Sequence, residues 1–315
     1  MMSTVKEARE LCIDLLPGVS RTFAMTIPVL PEELRSPVAC SYLLCRIADN
    51  IEDHPDLSDR TKEKLFAQFL DGLHGEAEED FHNEWPEGAG KTLAEKYPVI
   101  LLAYRSFPEE QQGVIETCVK EMVSGMRSII LHRPPERKEH VCQTREELQE
   151  YCHYVAGIVG IMLSQIFSDF LGSEPDKEKE KAAHQFGLGL QLTNILQDRN
   201  EDALRGISFL PPGKIEPIFQ QALNHLEEGH EYALSLPSHQ EGLRLFCLWA
   251  LWMAVATLEE VIQSDAHRPK IDRARVEEII TYTQNHIRED ETLRNRFESD
   301  LLRTQNRLSQ SELVE

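Results

Sequence analysis

The feature that most constrains this chain is a pair of carboxylates four residues apart on an otherwise apolar helical pattern. Residues 191–211 read QLTNILQDRNEDALRGISFLP, with Asp198 and Asp202 in helical step. Residues three or four apart share a helix face, so Gln191, Asn194, Asp198 and Asp202 form one polar stripe while Leu192, Ile195 and Leu196 point elsewhere. The two aspartates repel by about 0.2–0.5 kcal/mol across one turn in water, and by more in a cleft. A positive charge is expected between them. Mg²⁺ is the hard cation that accepts a few carboxylates, keeps several waters and takes phosphate oxygens.

One such spacing is commonly a solvated acidic face, but the chain carries a second. Arg46-Ile-Ala-Asp49-Asn-Ile-Glu52-Asp53 repeats it directly after the apolar run VACSYLLC, and Tyr42, Arg46, Asp49 and Asp53 fall on one helical face. Two acidic shelves, each entered from an apolar helix, are best explained as facing one another across a cleft and sharing several metal ions. That arrangement binds a diphosphate.

Nearly every other segment has helical period and helical punctuation, and none alternates like a strand. The expected fold is all-α. Helices are expected at 4–16 (ended by Pro17-Gly18), from Pro37 to about 54, and at 58–74, 91–106 and 109–131. Others should follow from the capping box Thr144…Glu147 and at 176–204, 216–235, 238–265, 272–287 and 290–308. Residues 75–98 read as a surface connection and 303–315 as a polar tail. With no linker or repeat, one domain over 1–315 is expected. The stretch YCHYVAGIVG at 151–160 sets His153, Gly157, Gly160 and Ser164 on one face, allowing close approach of another helix or of a ligand.

The formal charge of −21 argues against nucleic acid, whose phosphates demand clustered Lys and Arg. Cys12, Cys40, Cys45, Cys118, Cys142, Cys152 and Cys247 contain no CxxC pair and read as free core thiols in a reducing compartment. The first residues lack the apolar core of a signal peptide. The uncharged run LFCLWALWMAVATL at 245–258 is shorter than the ~20 residues that span a bilayer and reads as a buried helix or cavity wall. A cytoplasmic protein without a transmembrane segment is expected.

These pieces together resemble the squalene/phytoene synthase family, the squalene synthase branch being the nearer. The resemblance covers about residues 10–285 and is carried by Ser20-Arg-Thr-Phe23, the Tyr42…Asp53 helix, 151–160, Gln191…Pro211, Phe246…Leu258 and Pro269-Lys-Ile. It implies a single-domain isoprenoid synthase helical bundle with a central active-site cavity. The implied reaction is a head-to-head condensation of two farnesyl diphosphates to presqualene diphosphate, then reduction to squalene with NADPH. By the same resemblance Asp49, Glu52, Asp53, Asn194, Asp198, Glu201 and Asp202 would hold Mg²⁺, and Tyr151, Tyr42 and Arg46 would act at the reacting groups. Ser20, Arg21, Phe23, Val155, Gly157, Gln191 and Phe246 would meet substrate, and Lys270 and Arg273 the NADPH phosphate. A monomer or weak homo-oligomer, touching a membrane surface only peripherally, would deliver the product.

The chain departs from the family pattern at three places. Gln197 and Ile207 stand where arginines are usual, leaving Arg199 or Arg205 as guanidinium candidates, and Asp272 stands where a basic residue is commoner. These departures keep a non-reducing relative making dehydrosqualene, phytoene or presqualene diphosphate in view. A prenyl diphosphate phosphatase and a non-catalytic scaffold subunit are the remaining alternatives.

Overall fold

The computed structural model describes residues 4–75, 81–131, 140–174, 176–264 and 266–311. Among them every named element is helical, with one isolated bridge between His140 and Ser208, so the all-α expectation holds. The chain forms two compact units, residues 1–132 and 133–315.

In the first unit, α1 (Val5–Asp14) opens with a reciprocal cap in which Thr4 Oγ1 accepts from the Glu7 amide and the Glu7 carboxylate accepts from the Thr4 amide. The expected 4–16 helix ends early. Pro17 starts the short helix Leu16–Val19 instead of stopping α1, because a proline's fixed φ and missing N–H suit the first turn. Helix α2 (Glu32–Asp53) likewise begins before the expected Pro37, with Pro31 at its N-cap and Glu32 and Glu33 in its first turn, where carboxylates favour the helix dipole. Pro37 lies inside α2.

The buried stripe of α2, including Val38, Leu43, Leu44, Ile47 and Ile51, packs against α1 and against two later helices, α4 (Tyr97–Tyr104) and α5 (Glu109–Met126). Between them α3 (Asp59–His74) is capped by Ser58. The expected 91–106 helix is two pieces, Ala89–Ala94 and α4, since Pro98 opens the second. Part of the expected surface connection is core: Phe81 and Trp85 are buried, and Phe81 packs on Tyr97 at 4.9 Å. Residues 76–80 of it lie outside the described residues.

The second unit runs α6 (Arg145–Cys152), a wider π turn (His153–Gly157), α7 (Ile158–Leu171), α8 (Lys177–Leu204), α9 (Glu216–Ser235), α10 (Glu241–Gln263), α11 (Arg273–Asn285) and α12 (Asp290–Ser309). Thr144 Oγ1 caps α6 through the Glu147 amide, but the returning Glu147 carboxylate takes the Gln143 amide, one residue before the expected partner. Helix α8 packs against α7, α9 and α10. Its approach to the π turn and α7 explains the small residues there. A Cβ on Gly160 would stand 2.0 Å from the Ala183 carbonyl oxygen, and one on Gly187 2.2 Å from that of Ala156.

The apolar run 245–258 is the buried stripe of α10, where Trp249 Nε1 donates to Thr283 Oγ1 at 2.9 Å. Both α10 and Arg145–Leu171 are long and apolar enough to cross a membrane by length and composition, and the apolar window of α10 is 83% buried within the fold. Residues 303–309 of the polar tail are helical, in keeping with the expected 290–308 helix. They complete α12, bury Thr304 and Leu308, and set Arg303 and Arg307 on Glu259 at 2.8 and 2.5 Å. All seven cysteines are buried and unpaired as disulfides.

Candidate active site

Both acidic motifs occupy the C-terminal turns of long helices, α2 and α8, and neither helix has a basic residue in its last turn. This is the wrong end for carboxylates. Each one there faces the negative pole of the helix dipole, at a cost of roughly 0.3–1 kcal/mol, in addition to repelling its neighbour.

In the first unit, Tyr42 organises the motif. Its hydroxyl donates to the Val19 carbonyl at 3.3 Å and accepts from Arg46 Nη2 and Nε at 2.9 and 3.2 Å, while its ring lies 4.8 Å from that of Phe23. Arg46 then reaches Asp49, with Nη1 3.7 Å from Oδ2. Burial pushes the Asp49 carboxyl up to about 6, Arg46 opposing and Asp53 adding to the shift. Ser20 Oγ caps Arg21–Thr26 by accepting from the Phe23 amide, which fixes the Phe23 ring beside Tyr42. Arg21 and Asp53 are exposed. Glu52 is buried, and its carbonyl takes the ammonium of buried Lys62, a residue that sequence reasoning missed.

In the second unit, α8 ends in a Schellman cap: the Gly206 amide donates to the Ala203 carbonyl and the Ile207 amide to that of Asp202, with Gly206 at φ +71°. An apolar residue commonly stands at the second position past such a cap, and this is the local reason for Ile207. Asp202 carries Arg205 at 3.5 Å, and Arg199 Nη1 donates to the Leu196 carbonyl. Gln191 is half-buried; Asn194 and Glu201 are exposed.

Asp198 is met by a residue absent from the sequence expectations. Arg268 Nη2 donates to Asp198 Oδ2 at 3.0 Å, and Arg268 Nε lies 2.6 Å from Oδ1 but off the line of a hydrogen bond. That buried Oδ1 has no hydrogen-bond donor among the described residues. Burial raises the Asp198 carboxyl against the pull of Arg268, and Glu201 raises it further. Gln197 Nε2 donates to the Pro269 carbonyl at 2.5 Å, joining α8 to the 266–270 segment. Seventy residues separate Arg268 from Asp198, and no local spacing signals the pair.

The chain after α8 turns back to support Tyr151. The Val141 amide donates to the Ser208 carbonyl at 2.8 Å, His140 Nδ1 lies 3.0 Å from the Leu210 carbonyl, and the Tyr151 ring stacks on Phe209 at 4.9 Å. Val155 is half-buried on the π turn, while Gly157 is buried where a Cβ would meet His184 at 2.6 Å. Phe246 is buried edge-on to Phe167 at 5.8 Å. On the flap, Lys270 is exposed, Arg273 is exposed and paired with Glu277 at 3.0 Å, and Asp272 caps α11 by accepting from the Arg275 amide. Capping accounts locally for the unexpected acid at 272.

A divalent cation fits these residues. The donors are hard oxygens, the buried Asp198 Oδ1 accepts no hydrogen bond among the described residues, and neither helix has a basic residue in its last turn. Among the described residues no three acidic, histidine or cysteine side chains converge on one point.

The model of squalene/phytoene synthases matches residues 16–212, which include both motifs. The chain belongs to the squalene/phytoene synthase family. Human squalene synthase is 32% identical over 279 residues, covering 81% of this chain and 64% of the human protein. The Schizosaccharomyces pombe squalene synthase is 28% identical over 301 residues, covering 87% of this chain and 65% of that protein. The chain therefore spans just under two thirds of the length of these relatives. A solved complex of TcSQS with a ligand superposes with a TM-score of 0.74 at 24% identity, over 97% of this chain and all of that one. A ligand-bound dehydrosqualene synthase gives 0.60 at 21%, over 90% and 97%. At these identities the structural likeness establishes the isoprenoid synthase fold.

Proposed function

We propose that the protein is a prenyltransferase that condenses two farnesyl diphosphates head to head to presqualene diphosphate and reduces this with NADPH to squalene. Residues 1–315 would act as one catalytic domain. The carrying observation is the placement of both acidic motifs at the negative ends of α2 and α8, where Asp49 is raised to about 6 and Asp198 is pushed up by burial against the pull of Arg268. Carboxylates held at that cost suit a site completed by cations.

Asp49, Asp53, Asp198 and Asp202 would hold Mg²⁺, with Glu52, Glu201 and Asn194 in support. Bound Mg²⁺ supplies neutralisation of the charge that develops on a departing diphosphate. The remaining roles fall to the chain's own groups. Arg46, oriented by Tyr42, presents a guanidinium for phosphate oxygens. Tyr151, fixed on Phe209, holds a phenol at the reacting carbons, and Phe23, Val155, Gln191 and Phe246 would help line the pocket that keeps water from the allylic cation. Lys270 is the flap's cation for the NADPH phosphate, and Arg273 would have to leave Glu277 to join it. A cytoplasmic enzyme in peripheral contact with a membrane, monomeric or weakly associated, suits a hydrocarbon product.

The departures at Gln197, Ile207 and Asp272 favour one second reading, a non-reducing relative that stops before the hydride step. Incubation with Mg²⁺ and farnesyl diphosphate, with and without NADPH, separates the two by mass spectrometry of the products. Squalene only with NADPH supports the reductive reading. The same C30 product regardless of NADPH selects the second, and farnesol alone overturns both.

A further inference from the structure

The guanidinium on Asp198 is not explained by stability. Arg268 is 42% exposed, and half-exposed pairs of this kind contribute little to folding. Its placement is nonetheless specific: Nη2 donates to Asp198 Oδ2, Nε lies 2.6 Å from Oδ1, Nη1 lies 3.7 Å from Glu201 Oε2, and Gln197 donates to the carbonyl of the next residue. Of the other guanidinium groups on the motif, Arg199 donates to the Leu196 carbonyl of its own helix and Arg205 lies 3.5 Å from Asp202. Arg268 approaches from outside the helix and offers five N–H groups in a fork that matches phosphate oxygens.

We propose that Arg268 is a diphosphate-binding residue of the second acidic motif, and that Gln197 positions it. Without ligand it balances Asp198 and Glu201. Were these carboxylates to hold Mg²⁺, their grip on the guanidinium would weaken and Arg268 would be released to meet phosphate oxygens. The position before Asp198 thus contributes by anchoring the arginine-bearing segment instead of carrying an arginine itself. The proposal rests on the diphosphate reading of the site.

The test is calorimetric titration of the full chain with inorganic pyrophosphate in Mg²⁺, with helix content checked by circular dichroism for every variant. Arg268→Ala is expected to weaken binding by about 10- to 100-fold, as loss of a charge-assisted contact does. Adding Gln197→Arg to Arg268→Ala, which returns a guanidinium from the neighbouring position, is expected to recover most of the loss. Unchanged binding in Arg268→Ala overturns the inference while leaving the diphosphate reading intact. A double variant no better than Arg268→Ala also overturns it. Wild-type protein that binds no pyrophosphate in Mg²⁺ sinks the diphosphate reading itself.

Discussion

Tyr151 stacks on Phe209 with ring centroids 4.9 Å apart and planes 27° from parallel. The two residues belong to different segments, the end of α6 and the returning chain after α8, and the hydrogen bond from the Val141 amide to the Ser208 carbonyl holds these segments in register. The Phe-Leu-Pro stretch that follows the second acidic motif therefore packs against the Tyr151 ring, and on the proposed function it would orient the phenol.

Phe209→Ala removes that platform. An aromatic pair contributes about 0.5–1.5 kcal/mol beyond its buried area, so a modest stability loss is expected together with a larger fall in kcat. Phe209→Tyr should keep both. Urea unfolding and steady-state kinetics on the same preparations check this, and an unaltered kcat in Phe209→Ala would remove the orienting role.

Gly160 and Gly113 should respond oppositely to alanine. The Gly160 methyl would collide with the Ala183 carbonyl at 2.0 Å, in backbone that cannot rotate away. Overpacking of this kind costs about 1–3 kcal/mol or more. Gly113, in exposed helix, has nothing within 4 Å; there alanine should stabilise by about 0.5–1 kcal/mol through helix propensity. Denaturant midpoints of the two variants decide the matter.

Arg244 is fully buried at the start of α10 and donates to the Ile287 carbonyl at 2.6 Å, the Leu234 carbonyl at 2.9 Å and Asp290 Oδ1 at 2.5 Å. It ties the end of α9 and the turn between α11 and α12 to α10. Arg244→Met strands two carbonyls and is expected to destabilise by about 3–5 kcal/mol. A thermal midpoint within a few degrees of wild type would contradict this.

How much of this was legible in the sequence follows from range. Both acidic motifs and the all-helical fold are legible because i, i+4 spacing is local, and the expected 109–131 helix is met by α5 and the π turn Arg127–Leu131 that continues it. Helix starts at Pro17 and Pro37 were misread, since proline suits a first turn and can also lie within a helix. The partners of Asp198, Tyr151 and Gly160 could not be read at all. Arg268, Phe209 and Ala183 are set by packing between distant segments, and the π turn at 153–157 arises where α6 and α7 meet α8.

Buried histidines give a pH signature. Burial and then the neighbouring His184 lower His225 to about 4, below the unfolded value of about 6.5. His184 is itself lowered by burial and by His153, 2.9 Å away, and Gln221 Nε2 lies 3.4 Å from the His225 ring. The unfolded chain then binds the proton more tightly, so stability is fully present above about pH 6.5 and is lost as pH falls toward 4. From pH 7 to pH 5 the loss through His225 is about 1–2 kcal/mol. Urea unfolding of His225→Gln should show a shallower decline over that interval, and a slope equal to wild type would refute the assignment.

The central claim is that the carboxylates at the ends of α2 and α8 carry the chemistry, and the most direct measurement is turnover of farnesyl diphosphate in Mg²⁺ by Asp53→Asn and Asp198→Asn. Each substitution removes one charge while keeping size and helix, and each variant should retain wild-type helix content and lose C30 product by a factor of at least ~10³ if metal-borne neutralisation is removed. Full turnover in either variant would remove that carboxylate from the site and contradict the account.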